Sequence, residues 1–269
     1  MNEIEHRGAV AGDLDGVAFL LQTLAKKAGD PSLVLDHENA HRPDHTPREP
    51  LSLPPTVESD RIMSERVYLP DHFFRRMDES ADELFYSIPR LVTHIDDGAI
   101  AAVTQLYREY FPRAGAVLDL MSSWVSHLPP EIEYGRVVGL GMNAEELAAN
   151  PRLDRWVVHD LNASPVLPFT DAEFDAGSIC VSVDYLISPI EVLRDVGRVV
   201  KPGGPLVITF SNRCFPTKVI AAWQTLDDEG HVELVARYFE AAGNWTNIER
   251  LDRSPGDGDP LYAVVARSA

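Results

Sequence analysis

The chain has 269 residues, 45% hydrophobic and 25% charged, an ordinary composition for a soluble globular protein with room for one sizeable domain and an extension. Its net charge of −18 sets up a field that repels phosphate backbones and anionic membranes over roughly 8 Å at physiological salt, so neither nucleic acid nor membrane is expected as a partner. No apolar stretch approaches the roughly 20 residues of a membrane span. The start M-N-E-I-E-H-R lacks signal-peptide character, and Cys180 and Cys214 make neither a disulfide framework nor a zinc signature; a cytoplasmic protein without a metal site is expected.

In chain order, Leu14, Val17, Leu20, Leu21 and Leu24 fall at helical spacing within Gly12 to Lys27, and the proline-rich text from His41 to Pro55 reads as an extended connector. Residues 1–60 are therefore expected to form an extension of one helix and a connector. Residues 61–113 form an expected helical cap: Pro70 to Tyr110 carries apolar residues at helical intervals, with Asp82 and Asp97 as helix-start residues. Within the cap, Tyr86, Arg90 and His94 stand four apart and share one face if the segment is helical; because Pro89 between them is comfortable only in a first turn, the alternative is that Tyr86 precedes the helix and Arg90 and His94 share it.

From residue 114 to 269 strand-like apolar runs alternate with helical periods. The runs are Ala116 to Leu120, Arg136 to Leu140, Arg155 to His159, Ala176 to Val181, Leu206 to Phe210, Thr246 to Leu251 and Leu261 to Ala266, with helices over Pro189 to Val200 and His231 to Ala242. Such alternation predicts an α/β fold with a mainly parallel sheet. The last two strands are separated only by Ser254 to Pro260, too short for a crossover, so they should pair as an antiparallel hairpin. Ligands of such sheets bind beyond the carboxyl ends of the strands, which draws attention to A-V-L-D-L-M-S-S-W, Ala116 to Trp124.

The strand order, the segment D-L-N-A-S-P-V-L-P-F-T-D-A-E-F-D-A (Asp160 to Ala176), R-V-V-K-P-G-G-P-L-V-I-T-F-S-N (Arg198 to Asn212) and the terminal hairpin together resemble the class I S-adenosylmethionine-dependent methyltransferases, type 11-like, over more than half the chain. The resemblance implies a Rossmann-like methyltransferase sheet, S-adenosylmethionine as cofactor, S-adenosylhomocysteine as product and a small-molecule methyl acceptor. It marks Asp119, Ser122, Ser123, Trp124, Gly141, Met142, Asn143, Asp160, Leu161, Asn162 and Ser182 as cofactor-binding, with Asp160 accepting from the adenine amino group and Leu161 offering a backbone amide. Asp184, Tyr185, Asn212 and Arg213 are expected on the substrate side, with Lys218 on the same rim. His94, Tyr86 and Arg90 are the expected catalytic group, His94 as base and Arg90 as the partner of a carboxylate.

Two departures from the family pattern stand out. D-L-M-S-S-W-V-S-H replaces the glycine-rich loop, placing Met121, Ser123 and Val125 where glycines stand, and Gly141 occupies the place of the acid that holds the ribose hydroxyls, with Asn143 as a weaker neutral substitute. These losses motivate the alternative of a fold retained as a binding or scaffold protein without catalysis. A nicotinamide oxidoreductase is disfavoured, because no G-x-G-x-x-G turn follows the first strand. The cysteines read as small buried hydrophobes, and Trp124, Trp223 and Phe215 as core or an aromatic wall.

Overall fold

The computed structural model describes residues 69–269; the expected helix at 12–27 and the connector at 41–55 lie outside the described residues. The predicted alternation is realised as one seven-stranded sheet: β1 (Ala116–Leu120), β2 (Arg136–Gly141), β3 (Arg155–Val158), β4 (Ala176–Cys180), β5 (Pro205–Phe210), β6 (Trp245–Asp252) and β7 (Tyr262–Ser268), in the order β3-β2-β1-β4-β5-β7-β6. β1 to β5 run parallel, and β7 is antiparallel to both β5 and β6, as the short Ser254 to Pro260 connection requires. β1 and β5 lie inside the sheet and are almost wholly buried, which is why they read as unbroken apolar runs. The chain winds from β1 toward β3 in one direction and from β4 toward β5 in the other. A crevice therefore opens above the carboxyl ends of β1 and β4, where the winding reverses.

Among the described residues the α-helices are α1 (Asp82–Phe85), α2 (Asp97–Tyr110), α3 (Ala144–Ala149), α4 (Pro189–Val199), α5 (Ala221–Thr225) and α6 (Asp228–Ala242). Local chemistry sets their ends. Proline begins α4, where its missing N–H costs nothing, and α6 stops at Gly243, whose φ of 79° suits a residue without Cβ. Asp96 rather than the expected Asp97 caps α2, its side chain accepting from the Ala99 amide at 2.9 Å. α2 then buries Ala99, Val103, Leu106 and Tyr107 in one apolar cluster with Val117, Val207 and Val265 of the sheet. Each such side chain contributes about 1.5–3 kcal/mol by leaving water, so this face fixes the cap's C-terminal helix against the sheet. No helix among the described residues is long and apolar enough to cross a membrane.

The expected shared helix face of Tyr86, Arg90 and His94 is not formed. α1 ends at Phe85 with Tyr86 as its C-cap, and residues 87–95 are irregular. Pro89 cannot donate to a helix, and the carbonyls a helix would use are taken by a side chain: the Arg90 guanidinium donates to Phe85 O at 2.9 Å and Ile88 O at 3.4 Å. The three side chains nevertheless come together, because the irregular segment crosses above the crevice and all three line it.

Candidate active site

The floor of the crevice is the serine loop after β1. Asp119 is 3% exposed and accepts three hydroxyls, from Ser122 at 2.6 Å, Ser126 at 2.7 Å and Ser178 at 3.1 Å. Burial pushes its pKa up while the three hydroxyls pull it down, and burial prevails. Its carboxylate thus braces the loop and lines a smaller hollow beneath Trp124 rather than the main cavity. Asn150 adds a second brace, donating to Ser126 Oγ and to Ser123 O, both at 2.9 Å. Met121 takes the left-handed φ of 53° at the first glycine place, and Val181, after β4, takes 43°. Such backbone costs a non-glycine residue about 1–2 kcal/mol, and both residues line the cavity.

The serine loop packs directly on the tip of β2. The Ser122 amide donates to Leu140 O at 2.8 Å, folding the loop down onto the end of β2, and a Cβ on Gly141 would collide with the Ser122 carbonyl. No side chain, acidic or otherwise, fits there. Asn143, the expected substitute, has both ends of its amide engaged: Oδ1 caps α3 through the Glu145 and Glu146 amides, and Nδ2 donates to Tyr86 O at 2.9 Å.

Sequence reasoning passed over Glu146. It stands in the first turn of α3, is 9% exposed, and its carboxylate accepts from the Arg90 amide and from Ser123 Oγ, each at 2.6 Å. It lines the cavity and ties the loop to the cap segment. The available signal was the spacing Asn143-x-x-Glu146, which marks a helix start and so places a carboxylate just above a strand tip.

Beyond β3, Asp160 caps a turn through the Asn162 amide at 2.8 Å and the Ala163 amide at 3.2 Å, leaving Oδ2 without a partner among the described residues; Leu161 and Met142 lie beside it in the cavity wall. Asn162 is fully committed, donating to Asp82 at 2.8 Å and Tyr185 O at 2.9 Å and accepting from the Ile187 amide at 2.9 Å. Ser182 lines the cavity with a buried hydroxyl that has no hydrogen-bond partner among the described residues. Tyr185 also lines it, and its hydroxyl accepts from the Phe215 amide at 2.8 Å.

Several expected residues lie elsewhere. Trp124 turns away from the main cavity, its indole N–H donating to Val92 O at 3.0 Å, so it fastens the cap to the loop. Asn212 is exposed, and Arg213 is paired with Asp259 at 2.7 Å; neither reaches the cavity. Lys218 is fully buried beneath the cap, bound to Asp82 at 3.1 Å, Asp78 at 3.3 Å and Ser80 O at 2.7 Å. Asp184 is buried behind Tyr185, and burial pushes its pKa up to about 8. Cys180 lines the cavity, but burial raises its thiol to about 11, and Cys214 is raised by the same cause; neither is a poised nucleophile. Trp223 is core, stacked on His231 at 4.0 Å, whereas Phe215 belongs to the cavity wall.

The cavity therefore unites residues from the tips of β1 to β4 under a cap segment. Residues 121–208, from the serine loop to β5, match the model of a methyltransferase domain. Over that segment the chain is similar to a methyltransferase domain, and the sheet order is compatible with that likeness. The domain is similar to several solved structures: the [4+2]-cyclase SpnF (16% identity, 69% of this chain and 91% of that chain, TM-score 0.48), an S-adenosylmethionine-dependent methyltransferase from Aquifex aeolicus (15%, 64% and 92%, 0.47), and the geranyl diphosphate C-methyltransferase of Streptomyces coelicolor A3(2), solved with S-adenosylhomocysteine (12%, 63% and 76%, 0.45). Among curated proteins no relative is found.

Proposed function

We propose that the protein is an S-adenosylmethionine-dependent methyltransferase that acts on a small molecule by in-line methyl transfer. The observation that carries this reading is the cavity at the switch point. It presents ligand-ready polar groups, Ser182 Oγ and Asp160 Oδ2, beside apolar Leu161, Leu140 and Met142. These residues suit the cofactor: Leu161 and Met142 would flank the adenine, Asp160 would accept from its amino group, and Ser182 and Glu146 would meet hydroxyl or ammonium hydrogens. When bound, the cofactor supplies a methyl group on a positively charged sulfur, whose transfer needs alignment more than acid–base help.

What this chain's own residues supply is alignment and a proton acceptor. The cap segment is held over the cavity by Asn143, Glu146 and Trp124, which restricts the site to small acceptors and supports the small-molecule reading. His94 lines the cavity with its pKa lowered, chiefly by burial and further by Arg90 against the opposing pull of Glu146. It is thus the neutral base at physiological pH, able to take a proton from a hydroxyl acceptor. Activity on such an acceptor is expected to be flat at neutral pH and to fall only as the solution becomes acid enough to protonate His94. Tyr86 and Arg90 position the acceptor from the same side.

Calorimetric titration with S-adenosylmethionine and S-adenosylhomocysteine tests the reading. Both are expected to bind, and Asp160→Ala is expected to weaken them roughly tenfold or more, the usual scale for losing a hydrogen bond to a charged group. Absence of binding at millimolar concentration would favour the alternative, a methyltransferase fold kept as a scaffold. The strained Met121 backbone and the closed-off Gly141 are the observations that motivate that alternative.

A further inference from the structure

The cavity has two unlike halves. Above β1 to β3 it carries the polar side chains Ser122, Ser123, Glu146 and Asp160 beside the aliphatic Leu140, Met142 and Leu161; toward β4 and β5 it carries the aromatic Tyr185 and Phe215. Phe215 organises the aromatic half, with ring centroids 5.3 Å from His94, 5.7 Å from Tyr185 and 5.3 Å from Phe85. Edge-to-face and tilted arrangements at these distances form a rigid wall that favours another flat ring.

Arg90 is the one arginine or lysine that lines the cavity among the described residues. Its guanidinium lies 4.5 Å from the Phe85 ring centre and 5.4 Å from that of Phe215, and its hydrogen bonds go to two backbone carbonyls. Glu146 is in the same cavity, yet it binds the Arg90 amide and not the guanidinium, and the two charges form no ion pair. A cation on an aromatic platform and a separate, 9% exposed carboxylate are charges held apart, each with unfilled capacity for a partner. Glu146 and Asp160 face the half that suits a cationic cofactor. Arg90 faces the other.

We propose that the methyl acceptor is a small aromatic acid, its ring against Phe215 and Tyr185 and its anionic group on the Arg90 guanidinium. This rests on the methyltransferase reading and narrows it. A planar guanidinium matches a carboxylate with two parallel hydrogen bonds, which a neutral amide or alcohol cannot reproduce. In a chain of net charge −18 such an anion gains nothing from long-range attraction, so recognition depends on this one group.

The test is binding of four probes to the full chain saturated with S-adenosylhomocysteine: benzoate, benzamide, cyclohexanecarboxylate and benzylammonium. Benzoate is expected to bind at least roughly tenfold more tightly than each of the others. Arg90→Gln should bring benzoate down to the benzamide level while leaving benzamide unchanged, and Arg90→Lys should restore only part of the preference. Thermal unfolding of both variants controls for folding. Equal binding of benzoate and benzamide, a preference for benzylammonium, indifference to Arg90→Gln, or no benzoate binding at millimolar concentration each overturns the proposal. If S-adenosylhomocysteine binds and the probes fail, the acceptor assignment alone falls; if S-adenosylhomocysteine itself does not bind, the methyltransferase reading falls first.

Discussion

Asp82→Ala is expected to destabilise the domain by about 3–5 kcal/mol, the scale for removing one partner of a buried ion pair. Asp82 is 5% exposed and holds both oxygens on Arg76 Nη1 at 2.9 Å, with Lys218 at 3.1 Å and Asn162 Nδ2 at 2.8 Å. Burial pushes its carboxyl up, but Arg76, Asn162 and Lys218 together outweigh burial and hold it below its ordinary value. Removing it strands Lys218, which has no exposed surface, with only the peripheral Asp78 as counter-charge. Lys218→Met should cost less, because Asp82 keeps Arg76 and Asn162. The sign of the pH dependence follows from the depressed pKa: the stabilisation is present above the ordinary carboxylate value near 3.8 and disappears as pH falls through the lower folded value. Urea unfolding of the two variants checks this; a loss below about 1 kcal/mol for Asp82→Ala would show that the network is not what holds the cap.

Asp184→Asn is expected to act in the opposite direction and to stabilise the protein increasingly as pH rises. Asp184 is 2% exposed, Oδ2 has no hydrogen-bond partner among the described residues, and its pKa is pushed up to about 8 by burial. A group whose folded pKa is raised contributes stability that is complete below its unfolded value near 3.8 and is lost as pH climbs through about 8. Each unit of that interval corresponds to about 1.4 kcal/mol, so the full effect is several kcal/mol. The variant carries no such proton and should unfold at nearly the same temperature at pH 5 and pH 8, when other groups are equal, while the wild type loses stability over that range. A constant difference between the two proteins at both pH values would contradict the burial account.

The sheet was legible because each strand's burial is written in its own residues. A-V-L-D-L and P-L-V-I-T-F are apolar because neighbours cover both faces, and Pro189 and Gly243 mark helix ends through their own backbone preferences. The floor and lid of the site were less legible because they depend on partners remote in sequence. Nothing local reveals that Asn143 and Glu146 bind a segment more than fifty residues earlier, or that Lys218 and Asn162 converge on Asp82. Residues 87–95 between the two cap helices depart from the helical expectation for a related reason: four-residue spacing is a helix signal only where the carbonyls are free, and here Pro89 and the Arg90 side chain break the ladder. Gly141 stands where the sequence pattern leads one to expect an acid, and the Ser122 carbonyl that excludes a side chain there belongs to another loop.

The most direct measurement is a crystal structure of the full chain grown with S-adenosylhomocysteine. The account predicts the adenine between Leu161 and Met142 with its amino group at Asp160, and the sulfur facing the half of the cavity lined by His94, Tyr185 and Phe215. A nucleoside bound elsewhere, or a cavity that stays closed by the Met121 to Ser123 loop while the ligand remains in solution, would contradict it.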